Sequence, residues 1–264
     1  MDLGLGGKTA WVLGGSSGLG RGSAEALARE RCDVAISARD ETRLNEAAGA
    51  ISAAGGARCV AVPTDVADAV SITAGAERVE AALGGIDILV ANSAGPPPGS
   101  FDDNDDNSLF AAFDLVTASA WRLAKAVLPS MRSRGGGAIV FITSSSTKEV
   151  IDGLLLSNMM RAAVVGMAKT LSRELASDNV RVVCVAPGYH ETPRVEVLER
   201  ARAATRGVAP EEIRSESTAS IPLGRFGSPA DFGRAVAFLA SPAAAHITGA
   251  TVTIDGGACR TITA

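Results

Sequence analysis

The chain has 264 residues, of which 47% are hydrophobic and 20% are charged, so it can build a sizeable core and lacks a disordered composition. Its formal net charge is -4 and its 25 Lys and Arg residues are scattered, which argues against a nucleic-acid-binding face. No apolar run reaches the roughly 18 residues of a membrane-spanning helix, and the first residues lack a signal-peptide pattern. We therefore expect a cytoplasmic protein with neither nucleic-acid nor membrane partners.

The four cysteines form no C-x-x-C pair, and only two histidines accompany them. Cys32, Cys59 and Cys184 fall in or beside strand-like segments, where a reduced cysteine usually packs as a small core residue. We therefore expect no metal site.

Short β-rich runs alternate with longer helical patterns along the whole chain. The predicted strands span residues 9–13, 33–37, 58–62, 86–91, 138–142, 180–186 and 251–254. Most of them are apolar at consecutive positions, which is typical of strands buried on both faces of a parallel sheet. The predicted helices span residues 19–31, 41–54, 67–83, 107–132, 157–176 and 229–239.

This alternation predicts a doubly wound α/β fold, with about seven parallel strands between two layers of helices. Because no linker or repeat interrupts the pattern, we expect one domain over residues 1–264. Two longer loops, 95–107 and 188–225, follow the carboxyl ends of strands, where open α/β sheets bind ligands. We expect the second of them to form the substrate loop.

The first predicted strand runs into Gly14-Gly15-Ser16-Ser17-Gly18-Leu19-Gly20, and a helix follows directly. In this context glycines let the backbone approach a pyrophosphate, whose charge is stabilised by the helix dipole and by free N–H groups. We therefore expect Gly14, Ser16, Ser17, Gly18 and Leu19 to bind a dinucleotide. A glycine turn used only for close packing of strand and helix is the alternative.

The end of the second predicted strand distinguishes NAD from NADP. An acidic residue at this point would bind the ribose 2′-hydroxyl of NAD and repel a 2′-phosphate. The chain has Ser37-Ala38-Arg39 instead, and the planar fork of Arg39 suits a phosphate. Ser16 offers a second contact to it. We therefore predict NADP(H) as the cofactor, with a solvated Arg39 as the alternative.

The spacing G-x-x-x-G-x-G resembles that of the short-chain dehydrogenase/reductase family. Asn92-Ser93-Ala94-Gly95, Pro187-Gly188 with Thr192, residues 221–226, and Thr248-Gly249 leading to Asp255-Gly256-Gly257 are similar to four further motifs of that family. The resemblance implies a Rossmann-type fold and the interconversion of carbonyls and alcohols. It also implies cofactor contacts by Asp65, Val66, Asn92, Ala94, Gly95, Pro187, Gly188 and Thr192.

The family resemblance also implies a catalytic Asn-Ser-Tyr-Lys set, from which this chain departs. Ser144, at the end of the fifth predicted strand, occupies the Ser position, and two more serines follow it. Ser157 and Arg161 stand where Tyr and Lys are expected, and Val116 stands at the Asn position. A serine hydroxyl is a far weaker acid than a phenol. Loss of a general acid typically removes about 10²–10⁴-fold of rate.

We expect Ser144, Ser157 and Arg161 to hydrogen-bond the developing oxyanion. The alternatives are a helix N-cap without chemistry for Ser157, and a bridge to the cofactor ribose or a carboxylate for Arg161. Tyr189, the single tyrosine of the chain, is the leading proton-donor candidate, because Ser157 vacates space beside the nicotinamide. Lys148 and Glu149 follow the Ser144 strand over the same mouth.

Three functions are compatible with these residues. The first is an NADP(H)-dependent oxidoreductase that acts on a small or medium carbonyl or alcohol. The second, favoured by the missing Tyr and Lys, is a non-catalytic NADP-binding subunit or redox sensor. The third, a lyase or dehalogenase, is disfavoured because relatives of that kind lose the glycine motif.

The helices predicted at 107–132 and 157–176 carry more apolar residues than one sheet face can cover. Phe110, Phe113 and Trp121 are among them. Because monomers rarely expose such a surface, we expect a homo-oligomer, either a tetramer or a dimer.

Overall fold

In the computed structural model, which describes residues 2–262, seven strands form one parallel sheet. They are β1 (Thr9–Leu13), β2 (Asp33–Ser37), β3 (Cys59–Ala61), β4 (Ile88–Ala91), β5 (Gly137–Ile142), β6 (Val180–Pro187) and β7 (Thr251–Ile254). Their order across the sheet is β3-β2-β1-β4-β5-β6-β7. The order reverses between β1 and β4, which is where doubly wound sheets open a crevice for a ligand. The predicted fold class is confirmed.

Helices cover both faces of the sheet. They are α1 (Gly18–Arg29), α2 (Glu41–Gly55), α3 (Ala69–Leu83), α4 (Asp106–Ala112), α5 (Ser119–Ser133), α6 (Leu155–Glu174), α7 (Pro193–Arg206), α8 (Pro210–Ala219) and α9 (Pro229–Ala240). One core packs α3, α5 and α6 around Trp11 and Phe141, and the other packs α1, α2 and α9 around Leu27 and Phe232. No helix within residues 2–262 is long and apolar enough to cross a bilayer.

The helix predicted at 107–132 is interrupted by a π-helical turn over Phe113–Ala118. Val116, the residue at the family's Asn position, lies buried inside this turn. The hydroxyl of Ser119 donates to the carbonyl oxygens of Leu115 (2.7 Å) and Val116 (3.1 Å), so it satisfies backbone acceptors in the π-helical turn. A sequence pattern of period 3.6 does not reveal this extra residue.

The N-cap interpretation of Ser157 is wrong. Helix α6 begins at Leu155 with Leu154 as its N-cap, so Ser157 lies inside the first turn. The helix starts early because Leu154 forms a β-bridge with Gly99, and the Leu155 N–H donates to the Gly99 carbonyl oxygen at 3.3 Å. The loop that begins at residue 95 is therefore attached to the start of α6.

A buried ionic cluster around Asp87 lies at the amino-terminal ends of the strands. Its carboxylate accepts hydrogen bonds from the Thr9 N–H at 2.9 Å and from Arg134 at 2.7 and 3.0 Å, and Lys8 lies at 3.5 Å. The hydrogen bonds from Arg134 and Thr9 lower the pKa of Asp87, against the opposing effect of burial. This cluster ties β1, β4 and α5 together at the end remote from the carboxyl termini of the strands.

Candidate active site

The turn between β1 and α1 lies against the segments that follow β4 and β6. Gly14 (φ +65°) and Gly18 (φ +54°) adopt the left-handed conformation that favours glycine. A Cβ atom on Gly14 would lie 2.5 Å from the side-chain nitrogen of Asn92, and one on Gly18 would lie 3.4 Å from the Thr192 methyl group. The fold therefore brings together three segments that the sequence assigned to the cofactor.

The N-terminus of α1 offers unused hydrogen-bond donors. Ser17 occupies the N-cap position, yet its side chain makes no capping hydrogen bond. Ser16 and Gly18 are only half-buried, and Leu19 packs on the core beneath them. A hydroxyl and free N–H groups at a helix N-terminus suit an anion. The turn therefore fits the pyrophosphate of a dinucleotide, whereas close packing explains Gly20, whose Cβ would overlap the Gly14 carbonyl oxygen.

Arg39 lies two residues after the end of β2, and its side chain is exposed. No ion pair described within residues 2–262 includes it. Ser37 before it is committed to the core, because its hydroxyl accepts from Trp11 Nε1 (2.8 Å) and donates to the Val62 carbonyl oxygen (2.7 Å). Arg39 is thus the cation at this strand end that remains available to a phosphate group.

Asp65 and Val66 follow β3 at the same edge of the sheet. One carboxylate oxygen of Asp65 accepts from the Ala67 N–H at 3.0 Å, and the Asp65 N–H donates to the Ser71 hydroxyl at 2.9 Å. Val66 packs against the core. These contacts hold the backbone of both residues at the carboxyl end of β3.

The segment after β6 is fixed by β7. The Gly188 N–H donates to the Ile254 carbonyl oxygen at 2.9 Å, and a Cβ on Gly188 would lie 2.5 Å from the Asp255 side chain. Thr192 is the N-cap of α7, and its hydroxyl accepts from the Val195 N–H at 3.3 Å. Pro187 and Gly188 are therefore held beside the end of β7, and Thr192 after them lies against Gly18 of the glycine turn.

Two serines are candidates for binding a substrate oxygen: Ser144 follows β5, and Ser157 lies in the first turn of α6. Ser144 is half-buried, and its hydroxyl accepts from the Ser146 N–H at 3.1 Å. Ser157 is buried, and no hydrogen-bond partner for its hydroxyl is described within residues 2–262. Both hydroxyls keep a hydrogen to donate to a bound oxygen atom.

Arg161 is almost fully buried and lies one helical turn after Ser157. Its Nη1 donates to the Ile142 carbonyl oxygen at 2.9 Å and its Nη2 to the Ser93 carbonyl oxygen at 3.3 Å. Burial, together with the nearby positive charge of Arg194, lowers the pKa of Arg161 to about 10. The guanidinium therefore stays charged at neutral pH. Its partners in the described structure are backbone carbonyls, not the carboxylate considered from the sequence.

Tyr189 is engaged with the substrate loop. Its hydroxyl accepts from Arg202 Nη1 at 3.1 Å, and its ring stacks on Phe226 with 5.3 Å between centroids. None of its described contacts is to Ser144 or Arg161.

The other two donor candidates lie on the loop after β5. Lys148 is half-buried, and the carboxylate of Glu149 accepts from the Arg260 N–H at 3.1 Å. Glu149 therefore fastens the C-terminal segment to the mouth of the site.

Sequence reasoning missed Arg194. Its Nη2 donates to the Pro96 carbonyl oxygen at 2.7 Å, and a Cβ on Gly95 would lie 2.9 Å from the same nitrogen. The side chain thus reaches from α7 across to the segment after β4. Its position two residues after Thr192 was the one signal available in the sequence.

Comparison with known proteins gives consistent matches over nearly the whole chain. Residues 14–259 match the family model described as Enoyl-(Acyl carrier protein) reductase. Oxidoreductase UcpA of Escherichia coli (strain K12) is 36% identical over 257 residues, which cover 96% of this chain and 95% of that protein. The 3-oxoacyl-[acyl-carrier-protein] reductase FabG of the same strain is 34% identical over 251 residues, covering 95% and 97%.

The fold has equally extensive matches. The crystal structure of L-sorbose reductase from Gluconobacter frateurii, complexed with NADPH and L-sorbose, superimposes with a TM-score of 0.94 at 32% sequence identity. The match covers 99% of this chain and 100% of that one. The similarity therefore extends from the first strand to the last.

Proposed function

The chain belongs to the short-chain dehydrogenase/reductase family, and on that premise we propose that it interconverts a carbonyl and an alcohol on a small or medium organic substrate, with NADP(H) as cofactor. The observation that carries the proposal is the cradle in which Gly14 meets Asn92 and Gly18 meets Thr192. The exposed Arg39, next to Ala38 at the position of the acidic residue, supports NADP(H) over NAD(H). The NADPH bound in the sorbose reductase agrees with this choice.

In this proposal the N–H groups of α1 and the Ser17 hydroxyl hold the pyrophosphate, and Arg39 binds the 2′-phosphate with help from Ser16. Gly188 and Thr192 flank the nicotinamide. When bound, NADPH supplies the hydride that reduces the carbonyl carbon.

The residues around Ser144 stabilise the charge that develops on the substrate oxygen. The hydroxyls of Ser144 and Ser157 donate hydrogen bonds to this oxygen, and the positive charge of Arg161 lies behind them. One oriented donor of this kind typically contributes about 10²–10³-fold in rate. This electrostatic contribution replaces part of what the missing Tyr and Lys supply in the family's catalytic set.

We propose that Tyr189, the one phenol of the chain, donates the proton to the substrate oxygen. Tyr189 lies between Gly188 and Thr192 in the sequence, on the loop expected to cover the substrate. Its ring must first leave Phe226, and its hydroxyl must leave Arg202. Proton transfer in this proposal is therefore coupled to movement of the substrate loop.

A non-catalytic NADP-binding subunit or redox sensor is the second candidate. The observation that favours it is the buried Arg161, whose bonds to the Ile142 and Ser93 carbonyls give it a packing role at the Lys position. Oxidation of NADPH by the purified protein, followed by absorbance across a broad panel of carbonyl compounds, separates the two functions. Turnover supports the reductase, whereas tight NADPH binding without turnover supports the sensor.

We also propose that the protein works as a homo-oligomer, either a tetramer or a dimer, in the cytoplasm. Phe110 in α4, Phe113 in the π-helical turn and Trp121 in α5 are 64%, 45% and 51% exposed, which favours coverage by a second copy. The four free cysteines favour a reducing compartment.

A further inference from the structure

Two arginines converge on the segment that follows β4. Arg161 donates to the Ser93 carbonyl oxygen from α6, and Arg194 donates to the Pro96 carbonyl oxygen from α7. The two acceptors are three residues apart, and Gly95 between them lies against the Arg194 guanidinium. Two positive charges therefore meet at the carboxyl edge of the sheet.

Neither charge has an anionic partner among residues 2–262. The ion pairs described within residues 2–262 include neither Arg161 nor Arg194, although they neutralise Arg206 and Arg214 on the neighbouring α7 and α8. Burial lowers the pKa of both Arg161 and Arg194, and no carboxylate opposes this effect at either residue. A buried cation such as Arg161 beside the half-buried Arg194 is costly unless the charges are paired, so the arrangement favours an anion that arrives with a ligand.

The position of the pair points to the substrate rather than to the cofactor. Arg161 lies one helical turn after Ser157, and its acceptor Ile142 lies two residues before Ser144. The pyrophosphate and the 2′-phosphate have their own donors at the start of α1 and at Arg39. The unpaired charges therefore adjoin the hydroxyls assigned to the substrate oxygen.

We propose that Arg194, supported by the nearby buried charge of Arg161, binds the carboxylate of an oxo-acid or hydroxy-acid substrate. The inference rests on the proposed function, whose substrate class it specifies. Guanidinium groups offer planar forks of N–H donors that match a carboxylate. An uncharged analogue leaves the Arg194 charge unpaired and is rejected.

The test is calorimetric titration of the NADP⁺-loaded protein with pyruvate, 3-oxobutanoate and 4-oxopentanoate, each compared with its uncharged amide. At least one acid should bind about 10- to 100-fold more tightly than its amide. Arg194→Gln should bring that ratio close to one, and Arg194→Lys should retain part of it. The matched control is Arg200→Gln, because Arg200 is exposed on the same helix and its ion pair within the described residues is with Glu196, at 3.2 Å. This control should leave the ratio unchanged.

Equal binding of all acids and amides by the parent protein would overturn the inference. So would an Arg194→Gln protein that loses NADPH affinity but keeps the ratio, since Arg194 would then serve the cofactor. NADPH oxidation is followed in parallel to separate the two claims. Selective acid binding without oxidation contradicts the proposed function alone, whereas oxidation by neutral carbonyls with no preference for acids contradicts the inference alone.

Discussion

The Arg161 guanidinium donates a 2.9 Å hydrogen bond to the carbonyl oxygen of Ile142, the last residue of β5. Ile142 is paired with Val185 of β6, so the bond fixes the charge near the middle of the sheet's carboxyl edge. The second fork of the guanidinium reaches Ser93 after β4. A lysine ammonium is a point charge and lacks this two-pronged geometry. Arg161 therefore acts through its fixed charge and not through proton transfer.

The cofactor preference depends on Arg39. We predict that the parent protein binds NADPH at least about tenfold more tightly than NADH, equivalent to about 1.4 kcal/mol. Arg39→Ala should remove most of this difference, because only NADPH carries the 2′-phosphate. Calorimetric titration with both cofactors measures it. Arg29→Ala is the control, since Arg29 is exposed at the far end of α1. Equal affinity of the parent for the two cofactors would sink the assignment.

The proton-donor assignment predicts that Tyr189→Phe lowers kcat by about two orders of magnitude while NADPH affinity stays the same. The substitution keeps the ring that stacks on Phe226 and removes only the hydroxyl bonded to Arg202. Steady-state kinetics with any substrate found in the carbonyl panel measures the effect. An unchanged kcat would dismiss Tyr189 and direct attention to Lys148 or to water.

The exposed aromatic surface of α4 and α5 predicts self-association. Trp121→Asp should shift the mass measured by light scattering at micromolar concentration toward that of a smaller species, because it places a charge in an apolar contact. Val70→Asp, at a 76% exposed position on α3, should leave the mass unchanged. A monomeric parent protein would refute the oligomer.

Asp87 predicts a specific pH dependence of stability. Its pKa is lowered in the folded protein, so its contribution is fully present above the ordinary value near 4 and is lost progressively as the pH falls below that value toward the lowered pKa. Asp87→Asn should cost about 3 kcal/mol at pH 7, because Arg134 loses a buried partner. Urea unfolding at pH 7 and at pH 3.5 should show this cost shrinking in acid.

The control for Asp87 is Asp114→Asn, which breaks the more exposed ion pair with Arg122. Such a pair is typically worth less than about 1 kcal/mol. If Asp87→Asn cost no more than this control at pH 7, the buried cluster would not stabilise the fold as argued.

The sequence predicted the sheet well because its strands are buried on both faces and leave a clear apolar signal. The ends were less certain: only Cys59–Ala61 of the predicted 58–62 strand pairs with β2. The π-helical turn at Phe113–Ala118 was not foreseen, because one extra residue in a turn changes the hydrophobic pattern very little. The start of α6 also escaped, since it depends on Gly99, a residue more than fifty positions away.

The cofactor segments were predictable because glycine and proline mark the turns after the strands. The partners of Arg161 and Arg194 were not, since both are backbone carbonyls, which any residue provides. The contact of Tyr189 with Arg202 was missed for a similar reason: it depends on how α7 lies against the substrate loop.

The central claim is that this chain transfers hydride although Ser157 and Arg161 replace the family's Tyr and Lys. The most direct measurement is a single-turnover reaction of the purified protein with NADPH deuterated at the transferred position, followed by mass spectrometry of the alcohol product. The account predicts one deuterium on the former carbonyl carbon, and a rate about 10²-fold lower in Ser144→Ala. Absence of deuterium from every alcohol across the carbonyl and oxo-acid panel, with NADPH bound at saturation, would contradict it.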